Sequence, residues 1–273
     1  MNKQSVNSKP ILFIDSGIGG LPYCVDFHKK NLHEEVCYLA DTKNFPYGPR
    51  EKNELASILI NLTEKLISTL NPKIIVLACN TATIAALSSL REQYPEIPFV
   101  GTVPALKPAA KTSNTGKVGV LGTERTIQEI QNLHLIDDTC QIIGIAASEL
   151  VEFIERHFYE ASEKEKNKIA KKYIELFRAE GVDSLVLGCT HFLFLQEEFS
   201  REGLNPDFTP KIKVFDSLEG ITKRIESLLD ENSGILRAAD DNNPVHRLVL
   251  TGETQDAFWH NRASSLGFQL SLL

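Results

Sequence analysis

Along this chain, short runs that are apolar at every position alternate with longer stretches whose apolar residues recur every three or four positions. The first kind reads as a strand buried on both faces, and the second as a helix with one face on the core. Ile11-Leu12-Phe13-Ile14, Val36-Cys37-Tyr38-Leu39-Ala40 and Ile74-Ile75-Val76-Leu77 are runs of the first kind. Further along come Pro98-Phe99-Val100-Gly101, Val118 to Leu121, Gln141 to Gly144, Ser184 to Leu187, Val214-Phe215 and Leu248-Val249-Leu250. Between them Leu55, Ile58, Leu59, Leu62, Leu66 and Ile67 have helical spacing. The same period predicts helices from the turn at 15–20 to about Lys30, after Cys79 to about Gln93, near Thr126, from Ser148, and around Ala257–Ser265. The charged stretch Glu160 to Lys172 reads as the solvated face of another helix.

Strands that alternate with helices predict an α/β fold with mainly parallel sheets flanked by helices. Two strand-to-turn openings, near 11–16 and 118–123, and two strands that each end in Cys divide the chain into two similar domains. The expected division is 1–100 with 211–273 as the first domain and 101–210 as the second, with the active site in the cleft between them. Residues 1–9 read as a tail and 230–244 as a polar surface loop.

The two Cys strands carry the strongest candidate chemistry. Ala78-Cys79-Asn80-Thr81-Ala82 and Gly188-Cys189-Thr190-His191-Phe192 share one plan: strand, small residue, Cys, then polar residues opening a helix. Open α/β sheets bind ligands just past such strand ends, and the positive end of a helix favours a thiolate. One thiolate and one thiol on opposite faces of a substrate can remove and return a proton at a stereocentre. His191 could polarise Cys189 or protonate a carboxylate; its plainer reading is a surface histidine. Cys24, Cys37 and Cys140 read as small apolar fillers.

Asp15-Ser16-Gly17-Ile18-Gly19-Gly20 follows a strand and opens a helix, but a dinucleotide fingerprint needs a third glycine where this chain has Pro22. The turn is better suited to a carboxylate held by main-chain N–H groups and Ser16, with Asp15 beside it; a helix-capping turn is the plain alternative. Pro46-Tyr47-Gly48 is a stiff loop tip that could offer N–H groups and a phenol to a ligand, or be a surface turn. Thr123 and Glu152 lie at strand-to-helix turns, where Glu152 would complement the helix dipole.

Composition narrows these readings. The apolar share of 42% and charged share of 24% suit a globular protein, and a net charge of −7 argues against nucleic acid or an anionic membrane surface as main partner. No apolar run has membrane-spanning length, and the polar N-terminus lacks a signal sequence. Five cysteines without a short-spaced framework fit a reducing cytoplasm, and no zinc-type spacing occurs.

Taken together, Phe13-Ile14-Asp15-Ser16-Gly17-Ile18-Gly19-Gly20-Leu21, Asp41-Thr42 with Pro46-Tyr47-Gly48, and the two Cys segments resemble the glutamate racemases of the cofactor-independent aspartate/glutamate racemase superfamily. Val118 to Thr123 with Thr126, and Leu150-Val151-Glu152, are weaker matches. The resemblance implies interconversion of L- and D-glutamate without pyridoxal phosphate or metal, for peptidoglycan synthesis, in a homodimer. It implies that Cys79 takes the α-proton from D-glutamate and Cys189 from L-glutamate. Asp15 and His191 would assist the thiols, and Glu152 would be a secondary acid near His191. Asp15, Ser16, Tyr47, Gly48, Asn80, Thr81, Thr123, Thr190 and His191 would contact substrate. The chain departs from the family at Phe192-Leu193, where Tyr-Pro is usual, at Val103-Pro104, which lacks a Glu before the proline, and at Ser148-Glu149. A racemase or isomerase of the same superfamily acting on another small acid is the nearest alternative, and a nucleotide-dependent oxidoreductase a more distant one.

Overall fold

The computed structural model describes residues 9–132, 140–207, 211–230, 235–239, 243–252 and 257–273. Most of the tail expected at 1–9 and part of the loop expected at 230–244 lie outside these residues. In chain order the first elements are β1 (Ile11–Asp15), α1 (Leu21–Lys30), β2 (Val36–Ala40), a 3-10 turn (Thr42–Asn44), α2 (Lys52–Leu70), β3 (Ile74–Leu77), α3 (Asn80–Gln93) and β4 (Phe99–Gly101). Next come α4 (Leu106–Thr112), β5 (Lys117–Gly122), α5 (Glu124–Asn132), β6 (Gln141–Ala146), α6 (Ser148–Arg156), α7 (Glu163–Ala179), β7 (Ser184–Leu187), a 3-10 turn (Thr190–Leu195), α8 (Gln196–Gly203) and β8 (Lys213–Phe215). The chain ends with α9 (Leu218–Leu228), β9 (Arg247–Leu250), α10 (Ala257–Leu266) and β10 (Gln269–Leu272).

The chain forms two units, one of residues up to Thr102 and from Leu218 onward, the other Val103–Ser217. The first holds a sheet of order β10-β9-β2-β1-β3-β4 with every pairing parallel. β1, β2 and β3 are buried along their whole length, which is why their sequences show no polar alternation. Leu55, Leu59 and Leu66 of α2 pack with Leu77 and Ala86 into the core on one side of this sheet. Burying each of those leucines stabilises the unit by about 1.5–3 kcal/mol.

The second unit holds a parallel sheet of order β6-β5-β7-β8. Here the structure corrects the expected boundary. β8 pairs with β7, Ser184 opposite Lys213, so 213–215 belong to this sheet and not to the first, where everything from 211 had been expected. The helix foreseen as a solvated face is α7, opened by a capping box in which Ser162 and Glu165 exchange side-chain and main-chain bonds. Its other face is buried through Tyr173, Ile174 and Phe177, and Gly119 leaves room for the Phe177 ring. α4 and β10 were not foreseen: seven residues are too few for a clear helical period, and Gln269-Leu270-Ser271-Leu272 is mostly exposed.

Candidate active site

Each sheet has one place where the chain leaves neighbouring strands in opposite directions, the position at which open α/β sheets bind ligands. In the first it lies between β1, which goes on to β2 on one side, and β3 on the other. In the second it lies between β5 and β7. Cys79 stands at the first of these points and Cys189 at the second.

The local plan is the same in both. Ala78 N–H donates to the Ile14 carbonyl at 2.8 Å, and Gly188 N–H to the Leu121 carbonyl at 2.7 Å. Each thiol residue comes next in extended backbone, with φ −145° at Cys79 and −130° at Cys189. Both are almost buried. Beyond the thiols the two copies part: α3 starts directly at Asn80, but Cys189 opens a six-residue 3-10 turn, with α8 only after it. The two look-alike sequences therefore diverge at the helix they were expected to share.

In the first unit the register sets Ile14 beside Leu77, so Asp15 and Ser16 leave β1 next to Ala78 and Cys79. Asp15 is fully buried and accepts from the Ser16 N–H and, at 3.3 Å, from the Ser16 hydroxyl. Gly20 allows this closeness, because a Cβ there would lie 2.6 Å from both the Cβ and the carbonyl oxygen of Ala78. Asn80 and Thr81 are buried in the first turn of α3. Thr83, one turn on and not singled out by the sequence, accepts the Thr102 N–H at 3.1 Å and so ties α3 to the end of β4.

Tyr47 is buried on the loop after β2, following a cis Phe45–Pro46 bond. Its phenol points inward and donates to Asp41 Oδ2 at 2.7 Å, which commits its proton to that carboxylate. Burial first, then the Asp41 charge and bond, then the charges of Cys79 and Asp15, hold the Tyr47 pKa well above the usual phenol value. The hydroxyl therefore stays protonated at neutral pH. What this loop leaves open is the main chain at Gly48, where an added Cβ would meet nothing within 4 Å.

In the second unit Cys189, His191 and Glu155 form a relay. Cys189 Sγ lies 3.7 Å from His191 Nδ1, and His191 Nε2 lies 2.6 Å from Glu155 Oε1. Burial works to lower the His191 pKa, but the bonds to Cys189 and Glu155 outweigh it and hold the pKa well above the usual imidazole value. These partners favour the charged form of the ring, which has a carboxylate at one nitrogen and a thiol at the other. Thr190 is buried beside it, and Thr123 shares a 3.1 Å hydroxyl contact with Thr126 at the start of α5.

Glu152 is not the acid at His191. Its side chain is 65% exposed and sits 3.5 Å from an equally exposed Arg156. The reason is helical phase. α6 buries Leu150 and Ile154, so residue 155, four beyond Val151, lies toward the protein and 152 points away. The amphipathic period of Leu150, Val151 and Ile154 was the signal that could have picked out Glu155. Among the described residues no group of three or more His, Cys, Asp or Glu side chains is arranged to hold a metal ion. No helix among them is long and apolar enough to cross a membrane.

A family model described as Asp/Glu/Hydantoin racemase matches residues 27–223. The chain belongs to this family. It is therefore a racemase, an isomerase by class. Among its curated relatives is a glutamate racemase from Shewanella sp. (strain MR-4), 35% identical over a 248-residue alignment that covers 86% of this chain and 85% of that one. Among solved structures it is similar to glutamate racemase isoform RacE1 from Bacillus anthracis, at 30% identity and a TM-score of 0.77, covering 100% and 97% of the two chains. It is also similar to Escherichia coli glutamate racemase in complex with L-glutamate and the activator UDP-MurNAc-ala, at 26% identity and a TM-score of 0.79, covering 97% and 98%. The two mainly parallel sheets flanked by helices are the fold of these racemases.

Proposed function

We propose that this racemase interconverts L- and D-glutamate by a two-thiol proton transfer at Cα. Cys79 takes the proton from D-glutamate and Cys189 from L-glutamate, each returning a proton to the face opposite the one the other attacks. The observation that carries the reading is the repeated placement of a thiol at the switch point of each sheet, in a family whose matches here include many glutamate racemases.

The α-proton of an amino acid is weakly acidic, so the carbanion that forms needs its charge met by nearby donors and cations. In this reading Asp15 assists Cys79, and the His191 imidazolium, oriented by Glu155, assists Cys189 and meets developing negative charge on the substrate carboxylate. Ser16, Asn80, Thr81, Thr123, Thr190 and the main chain of Tyr47-Gly48 supply hydrogen bonds that fix the substrate, so that Cα rather than another carbon meets the thiols. No organic cofactor or metal is assigned a part. The product would serve peptidoglycan synthesis, in the cytoplasm and as a homodimer; five cysteines with no disulfide among the described residues suit a reducing compartment.

Incubation with L-glutamate in D₂O tests the reading. The expected result is loss of optical rotation with deuterium entering at Cα, abolished in both Cys79→Ala and Cys189→Ala. Wild-type protein that exchanges aspartate or a hydantoin but leaves glutamate untouched would assign another substrate, and a Cys→Ala variant that racemises at the wild-type rate would rule out the two-thiol mechanism.

A further inference from the structure

The loop after β2 is held at its base by a carboxylate whose partners come from opposite ends of the sequence. Asp41 is fully buried. Its Oδ1 accepts the Thr251 hydroxyl at 2.6 Å and the Asn44 amide at 3.0 Å, while Oδ2 accepts the Tyr47 phenol at 2.7 Å and the Asn44 amide at 2.9 Å. Thr251 lies just after β9 and is bonded to the same loop by main chain as well. Lys43 N–H donates to Thr251 Oγ1 at 3.1 Å, Gly252 N–H to Thr42 Oγ1 at 3.0 Å, and Thr251 N–H to the Ala40 carbonyl at 3.3 Å.

Among the described residues every side-chain partner of Asp41 is a neutral donor. A carboxylate buried without a cation is costly to desolvate, and apolar packing would stabilise the loop base as well or better. What the carboxylate adds is direction. With its phenol bound to Asp41, Tyr47 is turned inward and the chain through Gly48 is the part left open. Tyr47 also lies within electrostatic reach of Cys79 and Asp15, so this loop borders the strand ends that carry them.

We propose that Asp41 and Thr251 are positioning residues for glutamate: Thr251 orients the Asp41 carboxylate, and Asp41, through Tyr47, sets where the Tyr47-Gly48 main chain meets the substrate. The inference rests on the glutamate reading above and extends it to a residue more than two hundred positions from the loop it controls.

Steady-state racemisation by Thr251→Val and Thr251→Ser, with amide exchange of residues 42–48, tests it. In Thr251→Val the KM for glutamate rises about tenfold, equivalent to ~1.4 kcal/mol. Its kcat stays within about twofold of wild type, as expected when binding is lost and chemistry kept. Exchange of 42–48 speeds up, and Thr251→Ser restores both KM and protection. A Thr251→Val enzyme with wild-type KM overturns the inference, as does a Thr251→Ser enzyme no better than Thr251→Val. If Thr251→Val does not fold, Tyr47→Phe replaces it, keeping the ring and removing the bond to Asp41. An increased KM supports the positioning role and an unchanged one refutes it. A wild type that racemises no glutamate removes the functional reading itself and the inference with it, a result distinct from an active wild type beside an unaffected variant.

Discussion

Replacing Glu155 by Gln isolates the relay on the Cys189 side. The substitution keeps the shape and one oxygen of the side chain but removes the negative charge that lies 2.6 Å from His191 Nε2. The two side chains are only 7% and 12% exposed, so water screens the pair weakly. A hydrogen bond to a charged partner contributes about 1.5–3 kcal/mol. If that interaction is kept through the transition state, its loss slows proton transfer by roughly 10- to 100-fold. The same change lowers the His191 pKa, because one of the bonds that outweigh its burial is weakened. The assay pairs the rate at which L-glutamate gives Cα-deuterated D-glutamate in D₂O with titration of the His191 ring by NMR. Glu152→Gln is the matched control. It removes an exposed charge whose contact with Arg156 is a surface pair worth about 0–1 kcal/mol, so neither readout changes. The reasoning is refuted if Glu155→Gln leaves both readouts at wild-type values, or if Glu152→Gln reproduces its effect.

Two further predictions concern stability. His28 and His246 face each other with ring centroids 4.2 Å apart, and Val36 N–H donates to His246 Nδ1 at 3.4 Å. Burial lowers the His28 pKa, and burial with the His28 charge lowers that of His246 from 6.5 to about 4. Both folded values lie below the unfolded one, so the unfolded chain binds more protons as the solution is acidified. Their contribution is present in full above about pH 6.5 and is lost as pH falls toward about 4. Melting temperature should drop across that window, and less steeply in His246→Gln; an identical slope in the variant would count against the pair. Gly20→Ala should weaken the first unit by about 1–3 kcal/mol through overpacking, since its Cβ would sit 2.6 Å from Ala78 Cβ and oxygen. Urea unfolding with an unchanged midpoint would show that the β1 turn need not lie so close to Cys79.

How much was readable along the chain depended on how local the determining physics was. Ile11 to Ile14 and Ile74 to Leu77 announce buried parallel strands because both faces are covered, so no residue in them needs to be polar. The Asp15-Ser16 turn, the two Cys turns and the helices after β1 and β3 come from short-range rules of the same kind. Those rules ended where a residue's role depended on what it packs against. Nothing in Lys213-Val214-Phe215 states which sheet it joins; pairing with Ser184 to Val186 decides that. Glu152 and Glu155 both sit on α6; its apolar period turns 155 inward and 152 outward, but only the docking of that helix brings 155 to His191.

By itself, then, the sequence determined the α/β alternation and the chemistry at the strand ends, and with them the kinship to glutamate racemases. Backbone preference and apolar period act within a few residues, and thiols, carboxylates and hydroxyls keep their chemistry wherever they are placed. Tertiary structure alone decided that Tyr47 turns its phenol to Asp41, that Thr251 reaches that carboxylate from far down the chain, and that Glu155 holds His191. Hydrogen bonds reach about 3 Å and depend on direction, so partners distant in sequence can be recognised only after the strands and helices that carry them have packed.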